Sequence, residues 1–423
     1  MTYQEVQDFL FSQLPMYQRQ GVSAFKKNLD NIIALCKLLG NPQDKFKSIH
    51  IAGTNGKGST SHIIAAGLQA NGFRVGLYTS PHYKDYRERI KINGEFISEE
   101  EVISFVEDHK EEFLRIQPSF FEITVAMAFA HFANQNVDLA IIETGLGGRL
   151  DSTNIINPLL SIITNISLDH QSMLGDTLDQ IAGEKAGIIK NGIPVIIGEY
   201  QDEINKVFTN KTSETQSKIY QADLASKIVK KDKGTFHFSI DESDWNVDFT
   251  TTMTNPFQLK NLVTALFSLW TLKAQFKLDP HKIAYGLENI NRLTYYIGRW
   301  MIIQHKPLVI FDSAHNEAGI ALLVEEIINS KYQNIHFVYG TAADKDLDTI
   351  FDILPKEAIY YFAKADIPRG MATDVLQDLA TQNGFNGLEY PSVAAAYRSA
   401  LSSANKADIV VVAGSIFVVA EVL

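Results

Sequence analysis

Two kinds of apolar pattern alternate along the chain. Short β-rich, mostly apolar runs at 48–52, 74–78, 138–143, 160–166 and 194–197 give way to longer stretches with helical spacing. A strand covered on both faces carries an unbroken apolar run, so the alternation predicts a mostly parallel sheet flanked by helices. The first strand leads through a glycine-rich turn into a helix ending near Asn71. Segment 218–252 breaks the pattern. There Phe236, Phe238 and Ile240 alternate with His237 and Ser239 before the charged turn Asp241-Glu242-Ser243-Asp244. Strict alternation marks strands with one wet face and predicts a small antiparallel excursion. A long helix is expected over about 256–276. After Arg292 the pattern restarts, with strands at 308–312, 335–340, 359–363 and 409–413. A linker is placed at 291–298, between a first domain over 1–293 and a smaller second one over 298–423.

Composition narrows the setting. The 423 residues allow two or three domains, and 45% hydrophobic with 21% charged residues is ordinary for a globular enzyme. A net charge of −11 argues against nucleic acid or an acidic membrane as partner. It leaves room for anionic small molecules, which local basic groups and helix N-termini can hold. The single cysteine, Cys36, sits in an apolar helical run and reads as core, so no internal disulfide is expected. Residues 1–8 show no signal-peptide pattern, and 409–422, interrupted by Gly414, Ser415 and Glu421, is too short to span a bilayer. The expected location is the cytoplasm.

The sharpest chemical signal is Gly53-Thr54-Asn55-Gly56-Lys57-Gly58-Ser59-Thr60, between a predicted strand and a predicted helix. Glycines let successive N–H groups face one anion, and the helix N-terminus adds positive dipole. Lys57 supplies a point charge for β- and γ-phosphates, and Ser59 or Thr60 can hold Mg²⁺. Gly58 stands between Lys57 and Ser59, so the loop departs from the common spacing. The plain alternative is a glycine-rich turn, which gives a lysine between two glycines no task. Asn405-Lys406-Ala407-Asp408 matches a guanine-reading motif but precedes a strand instead of following one, so it reads as a loop, and ATP is the expected nucleotide.

With Gly58 inserted, this loop resembles that of the folylpolyglutamate synthase and dihydrofolate synthase family, within the wider Mur ligase superfamily. Further motifs follow in order: Thr79-Ser80-Pro81-His82, Arg87-Glu88-Arg89-Ile90, Phe121-Glu122, Glu143 to Asp151, Leu168-Asp169-His170, and Ile181 to Ile188. The later part adds Gly298-Arg299, Asp312 to Asn316, Asp344-Lys345-Asp346 and Pro368-Arg369. Tyr296-Ile297 stands where the family has Trp-Pro, and Asp312-Ser313-Ala314-His315-Asn316-Glu317 where it has Asp-Gly-Ala-His-Asn-Pro. The fold implied is α/β: a phosphate-loop (P-loop) domain with a mostly parallel sheet, plus a smaller C-terminal Rossmann-like domain. The activity implied is ATP-dependent addition of L-glutamate to dihydropteroate, to the γ-carboxylate of folate polyglutamates, or to both, through an acyl phosphate. Two other readings compete with it. A cell-wall Mur ligase would carry a UDP-binding domain ahead of the loop, where only about fifty residues stand. A non-catalytic nucleotide switch would have no use for Arg299 and Asp312.

The resemblance also assigns residues. Asn55, Gly56, Lys57, Gly58, Ser59, Thr60, Asn261, Arg299 and Asp312 would hold ATP. Ser80, Glu143 and His170 would bind Mg²⁺, and a carbamylated Lys185 a second Mg²⁺. Phe121, Glu122, Leu150, Asp151 and Ser152 would lie near the pterin-bearing substrate. Lys57, Lys185, Arg299 and His315 would take part in catalysis, with domain closure. Plainer alternatives exist: core packing for Phe121, a salt bridge to Arg149 for Glu143, pairing with Glu184 or Glu203 for Lys185, and helix capping for Asp312-Ser313. A monomer is expected.

Overall fold

Strand β1 (Lys47–Ala52) lies inside an eight-stranded sheet ordered β4-β3-β2-β5-β1-β6-β7-β8. The same sheet holds β2 (Val75–Tyr78), β5 (Leu139–Glu143), β6 (Leu160–Ile163), β7 (Val195–Ile197) and β8 (Ile219–Gln221), with β1 between β5 and β6. All of these pair in parallel. β3 (Ile90–Ile92) and β4 (Glu95–Phe96) complete one edge as an antiparallel hairpin. This is a computed structural model, and it describes residues 1–12, 28–231, 234–330, 332–343, 345 and 347–423. Asp344 and Asp346 of the motif quoted above lie outside the described residues.

The unbroken apolar runs have the predicted cause. Ile49, Ile51, Ile141 and Ile162 face a core built on the helix Lys57–Ala70 and the long helix Pro256–Phe276. Ala140 and Ile142 face a second core on the opposite side, built on the helix Phe120–Asn134. Residues 59–68 are all buried, so the helix after the glycine-rich turn is enclosed on every side. The long helix starts as proline chemistry dictates: Pro256 occupies its first turn, and the Asn255 side chain accepts the Gln258 N–H.

The expected antiparallel excursion is present as β9 (Ser226–Lys230), β10 (Thr235–Ile240) and β11 (Asn246–Thr250). It starts later than expected, because β8 belongs to the main sheet as a parallel strand. A second sheet carries the restarted pattern, in the order β12-β13-β17-β14-β15-β16. Its strands are β12 (Met301–His305), β13 (Leu308–Phe311), β14 (Ile335–Tyr339), β15 (Ile359–Ala363), β16 (Asn386–Tyr390) and β17 (Ile409–Ala413). All pair in parallel except β12. The α/β class with a second α/β sheet is therefore the observed fold. The chain divides into two compact units, Met1–Tyr296 and Ile297–Leu423. Among the described residues no helix is long and apolar enough to cross a membrane.

Candidate active site

The glycine-rich turn sits at the C-terminal edge of the parallel sheet, where open α/β sheets gather ligands. Its shape is imposed from outside. Gly53 has φ +152°, and a Cβ there would lie 1.8 Å from Thr164 Oγ1. Gly56 has φ +82°, and a Cβ there would lie 2.1 Å from Asn261 Oδ1. Only glycine fits either place. The segment after β6 holds the turn open. The Thr54 N–H donates to the Asn165 carbonyl (2.9 Å), the Asn55 N–H to Asn165 Oδ1 (3.1 Å), and Thr164 Oγ1 to the Asn55 carbonyl (2.6 Å).

Two lysines converge on this turn. Lys57 Nζ donates to the carbonyls of Gly53 (3.0 Å) and Thr54 (3.2 Å), and Lys185 Nζ donates to the same Gly53 carbonyl (2.9 Å). Lys185 is buried, in the last turn of the helix Leu178–Ala186. Burial, reinforced by the charge of Lys57, pushes its pKa down to about 7, against the pull of Asp169 and Asp151. Glu184, one of the two acids offered as its plain partner, pairs instead with Arg149 at 2.8 Å. That pair also removes the alternative partner of Glu143.

Glu143 ends β5, buried, with Oε2 accepting the Ser80 N–H at 3.0 Å. A Cβ on Gly58 would stand 3.7 Å from the same oxygen, so the carboxylate lies against the first helical turn after the loop. Ser80 and Glu143 are thus brought together. His170 adopts φ +51° and N-caps a short turn of helix, with Nε2 lying 3.8 Å from Asp169 Oδ2. Among the described residues no three His, Cys, Asp or Glu side chains converge as a self-sufficient metal cage. The donors present fit a hard cation that takes one or two carboxylates and completes its shell with phosphate oxygens. Thr60 Oγ1 and Thr144 Oγ1, both buried and without a hydrogen-bond partner among the described residues, leave polar valence beside the loop and beside Glu143.

The residues assigned to the pterin side are differently employed. Phe121 lies over Gly145, whose Cβ would meet its ring at 2.3 Å, and packs edge-on to Tyr78 at 6.3 Å. Glu122 is buried and forms the capping box of its helix, accepting the Ser119 N–H at 2.6 Å. Leu150 is half-buried and Ser152 buried. Asp151 Oδ1 accepts the N–H (2.9 Å) and hydroxyl (2.5 Å) of Thr153, while Oδ2 accepts the Leu146 N–H (2.8 Å). Burial raises its pKa against these bonds.

In the second unit, Asp312 is buried and accepts the N–H groups of Trp300 (2.7 Å) and Ala314 (2.8 Å). Burial raises its pKa, opposed by Arg299. His315 Nδ1 lies 2.9 Å from the Ser313 carbonyl, which makes Nδ1 the donor. The helix Glu317–Asn329 is capped by Asn316, not by Asp312 or Ser313. Asp408 of the guanine-motif look-alike is buried and accepts from the backbone of Asn334 and Asn405, a loop-fixing task.

Sequence reasoning gave no role to several residues that the site uses. Asp169 flanks His170, and its place beside a histidine in the motif was the available signal. Buried Arg89 donates from Nε to His82 Nδ1 at 2.7 Å, and burial together with that guanidinium pushes His82 down to about 3. Thr164 and Asn165 had no local signal, because their partners in the loop lie far away in sequence.

The chain is similar to known proteins along its whole length. The Mur ligase middle domain model matches residues 51–269, and the Mur ligase glutamate ligase domain model matches 298–416. The chain is 32% identical to a Bacillus subtilis dihydrofolate synthase/folylpolyglutamate synthase, over 99% of this chain and 98% of that one. It is 34% identical to a Lacticaseibacillus casei folylpolyglutamate synthase, over 80% and 82%. The fold is similar to that of E. coli FolC in complex with DHPP and ADP, with TM-score 0.86 and 27% identity over 100% and 97% of the chains. A bifunctional folylpolyglutamate synthase/dihydrofolate synthase with Mn, AMPPNP and L-glutamate bound superposes with TM-score 0.81 and 31% identity, over 94% of each chain.

Proposed function

The chain belongs to the Mur ligase family, among its folylpolyglutamate and dihydrofolate synthases, and from that premise we propose how its residues carry the reaction. It is an ATP-dependent ligase that joins L-glutamate to a pterin-bearing carboxylate, using a divalent cation. Of the two acceptors, dihydropteroate and a folate γ-carboxylate, we propose that it takes both.

Amide formation from a free carboxylate is uphill in water, so the carboxylate is first phosphorylated. A carboxylate oxygen attacks the γ-phosphorus, the bond to the ADP oxygen breaks, and an acyl phosphate forms. The glutamate nitrogen then attacks the acyl carbon, phosphate leaves with the C–O bonding pair, and the nitrogen loses a proton. The protein's task is to align anionic partners and offset their repulsion. Lys57 leaves its two carbonyl acceptors for the β- and γ-phosphates. Asn55, Gly56, Gly58, Ser59 and Thr60 line the phosphates, and Asn261 borders them. Arg299 neutralises charge on the transferring group, with Asp312 and His315 at the nucleotide.

Ser80, Glu143 and His170 would hold one Mg²⁺, which when bound screens phosphate charge and polarises the phosphoryl oxygens. Lys185 is the proposed site of carbamylation. The ammonium first gives up one proton; the neutral amine then adds to CO₂, a C–N bond forms and a second proton is released, so that a cation has become an anion able to serve a second Mg²⁺. The observation that carries this reading is the pair Lys57 and Lys185 on one carbonyl, with Glu143 against the next turn. Two ammonium groups sharing one acceptor repel each other, and conversion of one to an anion relieves that repulsion. Phe121, Leu150, Asp151 and Ser152 are proposed to border the pterin, with Glu122 behind them.

The test is ATP-dependent phosphate release with dihydropteroate or a reduced folate monoglutamate as acceptor. Release is expected only when acceptor and glutamate are both present. Release that needs neither would identify a nucleotide switch instead.

A further inference from the structure

Behind the phosphate loop runs a buried chain of polar side chains. Asn261 Nδ2 donates to Gln258 Oε1 (3.1 Å), and Gln258 Nε2 donates to the Tyr296 phenol oxygen (2.8 Å). That phenol lies 2.9 Å from Ser59 Oγ. All four residues are buried, Gln258 to 2% exposure and Ser59 to 5%. The Tyr296 ring is fixed independently, edge-on to His62 at 5.3 Å, and His62 is in turn bonded to Thr294 Oγ1 at 2.8 Å. Ordinary satisfaction of buried groups explains each bond singly. It does not explain why the chain ends on the second residue after Lys57, at a helix N-terminus.

Direction supplies the explanation. A phenol has one proton to give, and Gln258 already fills one of its lone pairs. A Tyr296 proton given to Ser59 makes Ser59 Oγ an acceptor there and leaves the serine's own proton for another group. Ser59 makes no second side-chain hydrogen bond among the described residues. Bonds aligned donor to acceptor strengthen one another, so the last proton in the series is a better donor to an anion. We propose that Tyr296, held by Gln258, is a positioning residue that turns the Ser59 hydroxyl outward as a donor to a nucleotide phosphate oxygen. This rests on the reading that the loop binds nucleotide phosphates.

The experiment is calorimetric titration of ADP into the full-length chain and three variants: Tyr296→Phe, Ser59→Ala and the double substitution. One hydrogen bond to a charged group is at stake, so each single variant is expected to bind ADP about 3- to 30-fold more weakly. The double variant is expected to be no weaker than Ser59→Ala, because Tyr296 acts only through that hydroxyl. Melting temperatures report folding. Should Tyr296→Phe not fold, Gln258→Met removes the phenol's anchor and carries the same expectation. Additive losses in the double variant, or wild-type affinity in Tyr296→Phe, overturn the inference alone. Wild-type protein that fails to bind ADP overturns the nucleotide reading itself.

Discussion

At the scale of single residues, Lys185 makes the most distinctive prediction. Its pKa is lowered to about 7, so the amine is mostly charged below that pH and mostly neutral above it. Only the neutral amine takes up CO₂, so carbamylation should rise as pH increases through about 7. Protein labelled with ¹³C-bicarbonate should show a carbamate carbon signal that grows over that range and is missing from Lys185→Met. CO₂-depleted buffer should lower turnover, and added bicarbonate should restore it. A signal unchanged by the substitution would place the carbamate elsewhere. Lys57 predicts a different pattern. Lys57→Ala should lower turnover by about 10²–10³-fold, the usual loss for one preorganised contact to developing charge. Its melting temperature should barely change, because the bonds from Lys57 Nζ to the Gly53 and Thr54 carbonyls stay within its own loop. A variant that ligates normally would remove Lys57 from the chemistry.

At the scale of elements, the glycine-rich turn is shaped by the strands and helices around it. Gly56→Ala adds a Cβ 2.1 Å from Asn261 Oδ1 at a positive φ, and strain of this kind costs about 1–3 kcal/mol. It should weaken ADP binding, and Asn261→Gly should recover part of the loss by clearing the space. Titration of the two variants decides this, and no recovery would mean that backbone strain alone is responsible. The same turn shows what could be read from the chain. Lysine between glycines after an apolar run gave the loop, its strand and its helix. Of the side chains that make Gly53 and Gly56 obligatory, Asn261 came only from the resemblance, and nothing local gave Thr164. Strands with continuous apolar runs, such as β17, were legible because both faces are buried. β16 was not: at the sheet edge it leaves Leu388 65% exposed and carries Asn386, Gly387 and Glu389, so it has neither a run nor a clean alternation. β3 was obscured by Lys91, a buried lysine in the middle of a three-residue strand. Among the candidate site residues, Ser80, Glu143 and His170 stand just beyond predicted strand ends, but their role as metal ligands came only from the resemblance. Glu122 is engaged in a capping box whose Ser119 partner was there to be read three residues earlier.

At the scale of the whole molecule, the second unit has its own part in the account. In the proposed reaction Arg299 acts on charge that develops during phosphoryl transfer, not on bound ADP. Arg299→Ala should therefore lower kcat by about 10³-fold or more while ADP affinity stays within a few-fold of wild type. A loss confined to ADP affinity would make Arg299 a binding group instead. The central claim is that nucleotide held by the turn around Lys57 phosphorylates a carboxylate. Dihydropteroate labelled with ¹⁸O in its carboxylate tests that claim most directly, through the mass of the phosphate released during glutamate addition. The account predicts one ¹⁸O in each phosphate, carried over when the acyl phosphate is opened by the amine. Phosphate free of label, from turnover that still yields the glutamate adduct, would contradict it.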